Sequence, residues 1–303
     1  MDEDTRTMSM NPLYELSSKI CCRTVGGVLD RVTGDFPPIV RLETTNACNA
    51  RCIICPHRDM RRATVTMQED LYARLIDECV AAGCREVHLH NFGEPLLDKH
   101  LEDRIAYAKT KGIRRVKIFS NGSLLTPARS QRLIEAGLDE YKVSLDGATE
   151  EEFERIRPPL KFHTVVQNIV ELVNLRDASR SKLKVHVACC STTDKEATMQ
   201  LLERVVDRFA FGKLHNWGGQ SVVTKRVRKP CSRLWRTFTV LANGDVALCC
   251  LDYDGQQLLG RVDDMHSIRA VWNGPAYRQI RRSHREARQG EIPLCAQCTK
   301  SFF

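Results

Sequence analysis

Between Pro38 and Gln220 short apolar or β-branched runs alternate with longer amphipathic stretches, one unit about every 25 to 35 residues. That rhythm is the one repeated βα units produce, and it confines the stretch to a parallel α/β sheet. The expected strands are Ile39–Leu42, Glu86–Leu89, Val116–Phe119, Tyr141–Ser144, Lys184–Ala188 and Lys213–Asn216. Helical stretches are expected at Leu101–Lys111, Pro127–Ala136, Val165–Leu175 and Lys195–Phe209. A further helix is expected behind a capping box, Thr66-x-x-Glu69, with Leu71, Leu75, Ile76, Cys79 and Val80 on one face and Gly83 at its stop. Six strands are too few to close an eight-stranded barrel.

The first loop after a strand carries Cys48, Cys52 and Cys55 as Cys-x3-Cys-x2-Cys. A mononuclear structural zinc usually takes four ligands in two separated pairs, whereas three close thiolates on one loop hold three irons of a cubane and leave the fourth open. The chain has 303 residues and 14 cysteines, and a core of that size needs no disulfides. The first apolar stretch, around Ile20–Cys22, is short and lies behind the acidic residues Asp2, Glu3 and Asp4, so neither a signal peptide nor a membrane span is expected. A cytoplasmic setting follows, in which cysteine clusters read as metal-binding or catalytic. The net charge of +8 comes largely from Lys225–Lys229 and from Arg278, Arg281, Arg282, Arg285 and Arg288, read as solvated faces with no nucleic acid expected.

The cysteine spacing resembles the signature of radical S-adenosylmethionine (radical SAM) enzymes, in which the open iron of a [4Fe-4S] cluster binds SAM. The resemblance implies a partial (β/α)6 barrel whose cysteine loop follows the first strand, with SAM as a consumed co-substrate and an external one-electron reductant. Asn91-Phe92-Gly93-Glu94-Pro95, after the second expected strand, resembles the segment that holds the SAM amino group, which assigns Gly93 and Glu94 to cofactor binding. Ser120-Asn121-Gly122 and Ser144-Leu145-Asp146-Gly147 resemble the segments that contact the ribose, although Asn-Gly and Asp-Gly also make ordinary turns. Arg155 and Arg157 follow; in relatives an arginine here pairs with the SAM carboxylate, and Arg157 is the favoured candidate.

Beyond Gln220 the βα rhythm stops and a second set appears: Cys231, Cys249-Cys250 and Cys295-x2-Cys298. A Gly-x4-Cys unit after a first cysteine, followed by Cys-x2-Cys, resembles the shortened SPASM or Twitch extension of radical SAM enzymes. This implies an auxiliary [4Fe-4S] cluster on Cys231, Cys249, Cys295 and Cys298, against the alternative of a structural zinc. The expected organisation is an N-terminal extension over 1–37 without assigned role, a radical SAM partial barrel over 38–222, and a small iron–sulfur domain over 223–303.

One thiol of Cys249 and Cys250 is left over, and which one is ligand stays open. A spare thiol facing a substrate radical is a hydrogen-atom donor; Cys189-Cys190 offers a second place for one. On this pattern the chain resembles radical epimerases of aminoglycoside biosynthesis. The implied reaction takes a hydrogen from an aminosugar carbon and returns one from Cys249 or Cys250 on the opposite face, with Asp252 and Asp254 near a cationic substrate. The alternatives are an aminocyclitol or sugar-alcohol dehydrogenase using the same ligands, or peptide maturation.

Overall fold

The computed structural model describes residues 12–190, 194–212, 230–296 and 298. Among these, nine strands form one sheet: β1 (Ile39–Leu42), β2 (Glu86–His88), β3 (Arg115–Ser120), β4 (Glu140–Ser144), β5 (Lys184–Cys190), β6 (Arg208–Gly212), β7 (Thr237–Val240), β8 (Asp245–Ala247) and β9 (Leu258–Arg261). Their order is β6-β5-β4-β3-β2-β1-β7-β8-β9. β1 to β6 are parallel and in sequential order, as right-handed βα units require. β7 then joins the free edge of β1 in parallel, and β8 and β9 continue antiparallel.

The helices are α1 (Pro12–Val32), α2 (Glu69–Ala81), α3 (Leu101–Thr110), α4 (Pro127–Glu135), α5 (Glu150–Ile156), α6 (Phe162–Ala178), α7 (Lys195–Leu202), α8 (Arg233–Arg236), α9 (Ile268–Trp272), α10 (Pro275–Arg285) and α11 (Pro293–Ala296). One face of the parallel sheet is apolar: Val40, Leu42, Val87, Val116, Ile118, Tyr141, Val143, Val185 and Val187 are all fully buried in the main core. Successive strand residues alternate faces, so the opposite face carries Arg41, Glu86, His88, Lys117, Glu140, Lys142 and His186. These charges pair laterally, as in Lys117 to Glu140 (3.2 Å) and His186 to Glu140 (3.2 Å).

The expected strand Lys213–Asn216 lies outside the described residues, and β6 is Arg208–Gly212; two other expectations are corrected. The helix before β6 ends at Leu202 and does not run to Phe209. The Asp207 carboxylate accepts from Val185 N (2.8 Å) and Lys184 Nζ (3.0 Å), which starts the pairing with β5 immediately afterwards. The capping box at Thr66 does not form either: Met67 N donates to Thr44 O (2.8 Å) and Thr66 Oγ1 to Thr45 Oγ1 (3.1 Å). That bridge holds Thr66 extended, and α2 starts at Glu69.

All of α1 falls in the stretch 1–37 left without a role. It packs on α10, and Gly26 is in close approach there, since a Cβ would sit 3.1 Å from Arg285 Cβ. Trp235 Nε1 donates to Asp30 (2.7 Å) at the base of the same contact. The expected boundary at 222/223 lies outside the described residues.

Candidate cluster and cofactor site

The chain leaves β1 at Leu42 and crosses the C-terminal ends of the parallel strands, where ligands of α/β sheets bind. This crossing, from Glu43 to His57, carries the three thiols and is tied down on every side. Asn46 donates to Ala63 O (2.9 Å) and accepts from Val65 N (2.7 Å), and its own carbonyl meets His57 Nε2 (2.7 Å). Arg51 N donates to Pro158 O (2.6 Å) and Ile53 N to Ile156 O (2.9 Å), binding the loop to the end of α5. Asn49 donates to Ser123 Oγ and accepts from Asn121 Nδ2, both at 2.9 Å. Burial pushes the Cys48 thiol up to about 12 and Cys55 to about 11, and raises Cys52, opposed there by Arg157. The thiols are therefore protonated in the bare chain, and iron would displace those protons. Three sulfur donors on one rigid loop, with no carboxylate interposed, suit a cubane cluster.

Gly93 and Glu94 press directly on this loop. Glu94 N donates to Ala47 O (2.7 Å), and Gly93 has φ of 95°, with a Cβ there only 2.7 Å from Ala47 O. The Glu94 carboxylate is buried and accepts from Leu96 N (3.0 Å), Ser120 Oγ (2.7 Å) and Asn121 N (2.7 Å). Burial raises its pKa and these three donors oppose the rise. Ser120 and Asn121 thus build the site by holding Glu94 and Asn49. Ser144 ends β4 on the charged face and is buried. Arg157 forms an ion pair with Asp146, its Nε 2.8 Å from Oδ2, and sets Nη1 3.7 Å from Cys52 Sγ. Arg155 is exposed on α5.

The second thiol set lies beyond β8. Cys249 is raised well above the ordinary thiol range, by burial first and then by Cys250, Cys295 and Cys231. Cys231 N donates to His284 Nδ1 (3.3 Å), and Cys298 N to Cys295 O (3.2 Å). Cys250 Sγ instead accepts from Arg233 Nη1 (2.9 Å). Arg41, whose pKa is lowered by burial, is opposed in this by Cys250, so the second thiol sits between two guanidinium groups. On β5, Cys189 packs into the apolar core while Cys190 alternates to the charged face.

Asp252, expected near a cationic substrate, is withdrawn from one: it is 1 % exposed and accepts from Gln256 N (2.8 Å) and Gln257 N (3.0 Å), closing its own turn. Asp254, half-buried, accepts from Arg61 N (2.7 Å) and Arg62 N (3.1 Å), which ties its turn to the segment after the first cysteine loop. Four further charged groups shape the site without having been expected there: Arg41 and Glu43, both buried, and Arg62 and Arg233, both partly buried; the alternation of β1 is the one signal that could have pointed to Arg41. Among the described residues no three Cys, His, Asp or Glu side chains are grouped closely enough to hold a single metal ion. No helix among them is long and apolar enough to cross a membrane.

The profile of the radical SAM superfamily matches residues 42–177, and that of the SPASM iron–sulfur cluster-binding domain matches residues 231–299. The S-adenosyl-L-methionine-dependent 2-deoxy-scyllo-inosamine dehydrogenase of Niallia circulans is 23% identical over 267 residues, 86% of this chain and 92% of that protein. A GTP 3′,8-cyclase of Marinobacter nauticus is 30% identical over 168 residues, 54% of this chain; the chain spans about half (49%) of that enzyme's length. Among solved structures, BtrN in complex with AdoMet and 2-DOIA aligns with a TM-score of 0.63 at 20% identity, covering 87% of this chain and 93% of that one. SuiB of Streptococcus suis bound to precursor peptide SuiA aligns at 0.67 and 12% identity, covering 93% and 74%. At such identities the structural likeness speaks for the fold. The chain belongs to the radical SAM superfamily and carries a SPASM domain, and its cofactors are a SAM-binding [4Fe-4S] cluster, S-adenosylmethionine and an auxiliary [4Fe-4S] cluster.

Proposed function

We propose that Cys48, Cys52 and Cys55 hold the SAM-binding cluster, that Cys231, Cys249, Cys295 and Cys298 hold the auxiliary one, and that the enzyme oxidises a hydroxyl-bearing carbon of an aminocyclitol or related aminosugar. The observation that carries this reading is the match to the Niallia dehydrogenase along 86% of this chain and 92% of that protein. It favours oxidation over the epimerisation expected from the sequence. A cluster held by Cys48, Cys52 and Cys55 would, when bound and reduced, supply the single electron needed for reductive cleavage of SAM. The chain itself does the positioning. Three donors of its own chain hold the Glu94 carboxylate in place and leave it an acceptor position, which together with the backbone carbonyls around Phe92-Gly93 would receive the SAM amino group. Arg157, set beside Cys52 and braced by Asp146, offers its fork to the SAM carboxylate. Fourteen free thiols suit the reducing cytoplasm.

A second reading, inversion of an aminosugar carbon, is supported by the doubled thiol. Cys250 Sγ accepts from Arg233 Nη1 (2.9 Å), and if Cys249 is the ligand, a Cys250 thiol at this place would return a hydrogen atom to the substrate radical. An anaerobic reaction with SAM, a reductant and a panel of aminocyclitols and aminoglycosides in D2O, read by mass spectrometry, separates the two. A product lighter by two hydrogens is expected. A product heavier by one deuterium with altered retention would establish inversion and overturn oxidation.

A further inference from the structure

Glu43 is wholly buried, five residues before Cys48, and it is the most heavily bonded carboxylate at the site. Its Oε1 accepts from Arg62 Nη1 (2.8 Å) and Ala242 N (3.2 Å); its Oε2 accepts from Arg62 Nη2 (3.0 Å), Asn91 Nδ2 (3.3 Å) and Phe92 N (3.3 Å). Arg62, seven residues after Cys55, turns its Nε to Tyr253 O (2.8 Å), three residues past Cys250. Asp254 anchors Arg61 N and Arg62 N from the same turn, and the Tyr253 and Phe92 rings lie 5.5 Å apart. A single bidentate pair therefore ties both ends of the first cysteine loop, the segment leading into Gly93, and both flanks of the Cys249-Cys250 turn.

A buried ion pair is a poor device for stability, since desolvation offsets most of the attraction and an apolar pair of like size often does as well. What it adds is direction, because a planar fork and a carboxylate bond in one register only. We infer that Glu43 and Arg62 are positioning residues that fix the auxiliary thiol turn relative to the SAM-side cysteine loop, so that the substrate radical is formed within reach of the group that resolves it. The inference rests on the proposed function for its second half, but not for the geometry.

The test uses the full chain with both clusters reconstituted, comparing wild type with Arg62→Lys and with the neutral double variant Glu43→Leu/Arg62→Met, which removes both charges together. Pulsed EPR of the doubly reduced enzyme reports the spin–spin coupling between the two clusters without any turnover. Iron content near wild type, a thermal midpoint lowered in the double variant because Ala242 N, Phe92 N and Asn91 Nδ2 lose their acceptor, a broadened or displaced coupling, and a roughly tenfold or greater fall in product per 5′-deoxyadenosine are expected. Coupling unchanged in the double variant would overturn the positioning role whatever the reaction. Absence of 5′-deoxyadenosine from the wild type would instead sink the functional reading, and the EPR comparison would still decide the geometry.

Discussion

Arg157 holds its Nη1 3.7 Å from Cys52 Sγ while its Nε bonds Asp146 at 2.8 Å, so one guanidinium braces the cysteine loop against the end of β4. Asp146 is buried and also accepts from Cys190 N (2.5 Å). Burial alone would lower the Arg157 pKa, and Asp146 and Cys52 more than offset it. Removing one partner strands the other charge. Arg157→Ala is expected to destabilise the fold by about 3–5 kcal/mol, and Arg157→Ala/Asp146→Ala together by clearly less than the sum. Urea unfolding of the two single variants and the double one checks this; additive losses would mean the pair is not coupled.

Gly93 and Gly83 both have positive φ, 95° and 72°, but only Gly93 is crowded. A Cβ at Gly83 meets nothing within 4 Å, whereas at Gly93 it would lie 2.7 Å from Ala47 O. Gly83→Ala should cost about 1 kcal/mol from backbone strain alone. Gly93→Ala adds displacement of the cysteine loop, so it should lose bound iron at the SAM-side cluster as well as stability. Equal iron content in the two variants would contradict this.

Replacing Cys48, Cys52 or Cys55 by Ala should abolish 5′-deoxyadenosine formation. For the adjacent pair, Cys249→Ala should lose the auxiliary iron under the proposed assignment, since Cys250 Sγ is the one that accepts from Arg233 (2.9 Å). Cys250→Ala should retain iron and SAM cleavage. Iron analysis giving the reverse order would exchange the two assignments.

His88 stacks on His90, donates from Nε2 to Glu86 Oε1 (2.6 Å) and takes Arg41 Nη2 at its Nδ1 (3.4 Å), with Lys117 also facing it. Burial lowers its pKa from 6.5 to about 4, with Arg41 and Lys117 reinforcing the shift. The unfolded chain therefore binds this proton first, and stability falls as pH drops from 6.5 towards 4. Between pH 7.5 and 5 this group alone should remove about 2 kcal/mol. His88→Gln is less stable at pH 7.5 but should show a flatter profile over that window. Chemical denaturation at both pH values checks it; parallel slopes would refute the assignment.

Local order was legible in the sequence because it is written in local chemistry. The period of apolar runs gave β1 to β5 nearly to the residue, and the cysteine spacings marked both thiol sets, since a cluster needs its ligands at short and regular separations. The end of the stretch expected to be helical to Phe209 became part of β6 instead, through its pairing with β5. The role of a charge was decided by the tertiary structure alone. Nothing near Glu43 or Asp252 in the chain says that one meets Arg62 and Ala242 while the other closes its own turn. The addition of β7 to the edge of β1, and of α1 to α10, joins residues some 200 apart or more, and such contacts leave no local periodic trace. The sequence by itself determined the fold class and the thiols, through periodicity and spacing. The tertiary structure decided which carboxylates and guanidinium groups stand between those thiols, because burial and pairing across distant segments set the position and charge of each.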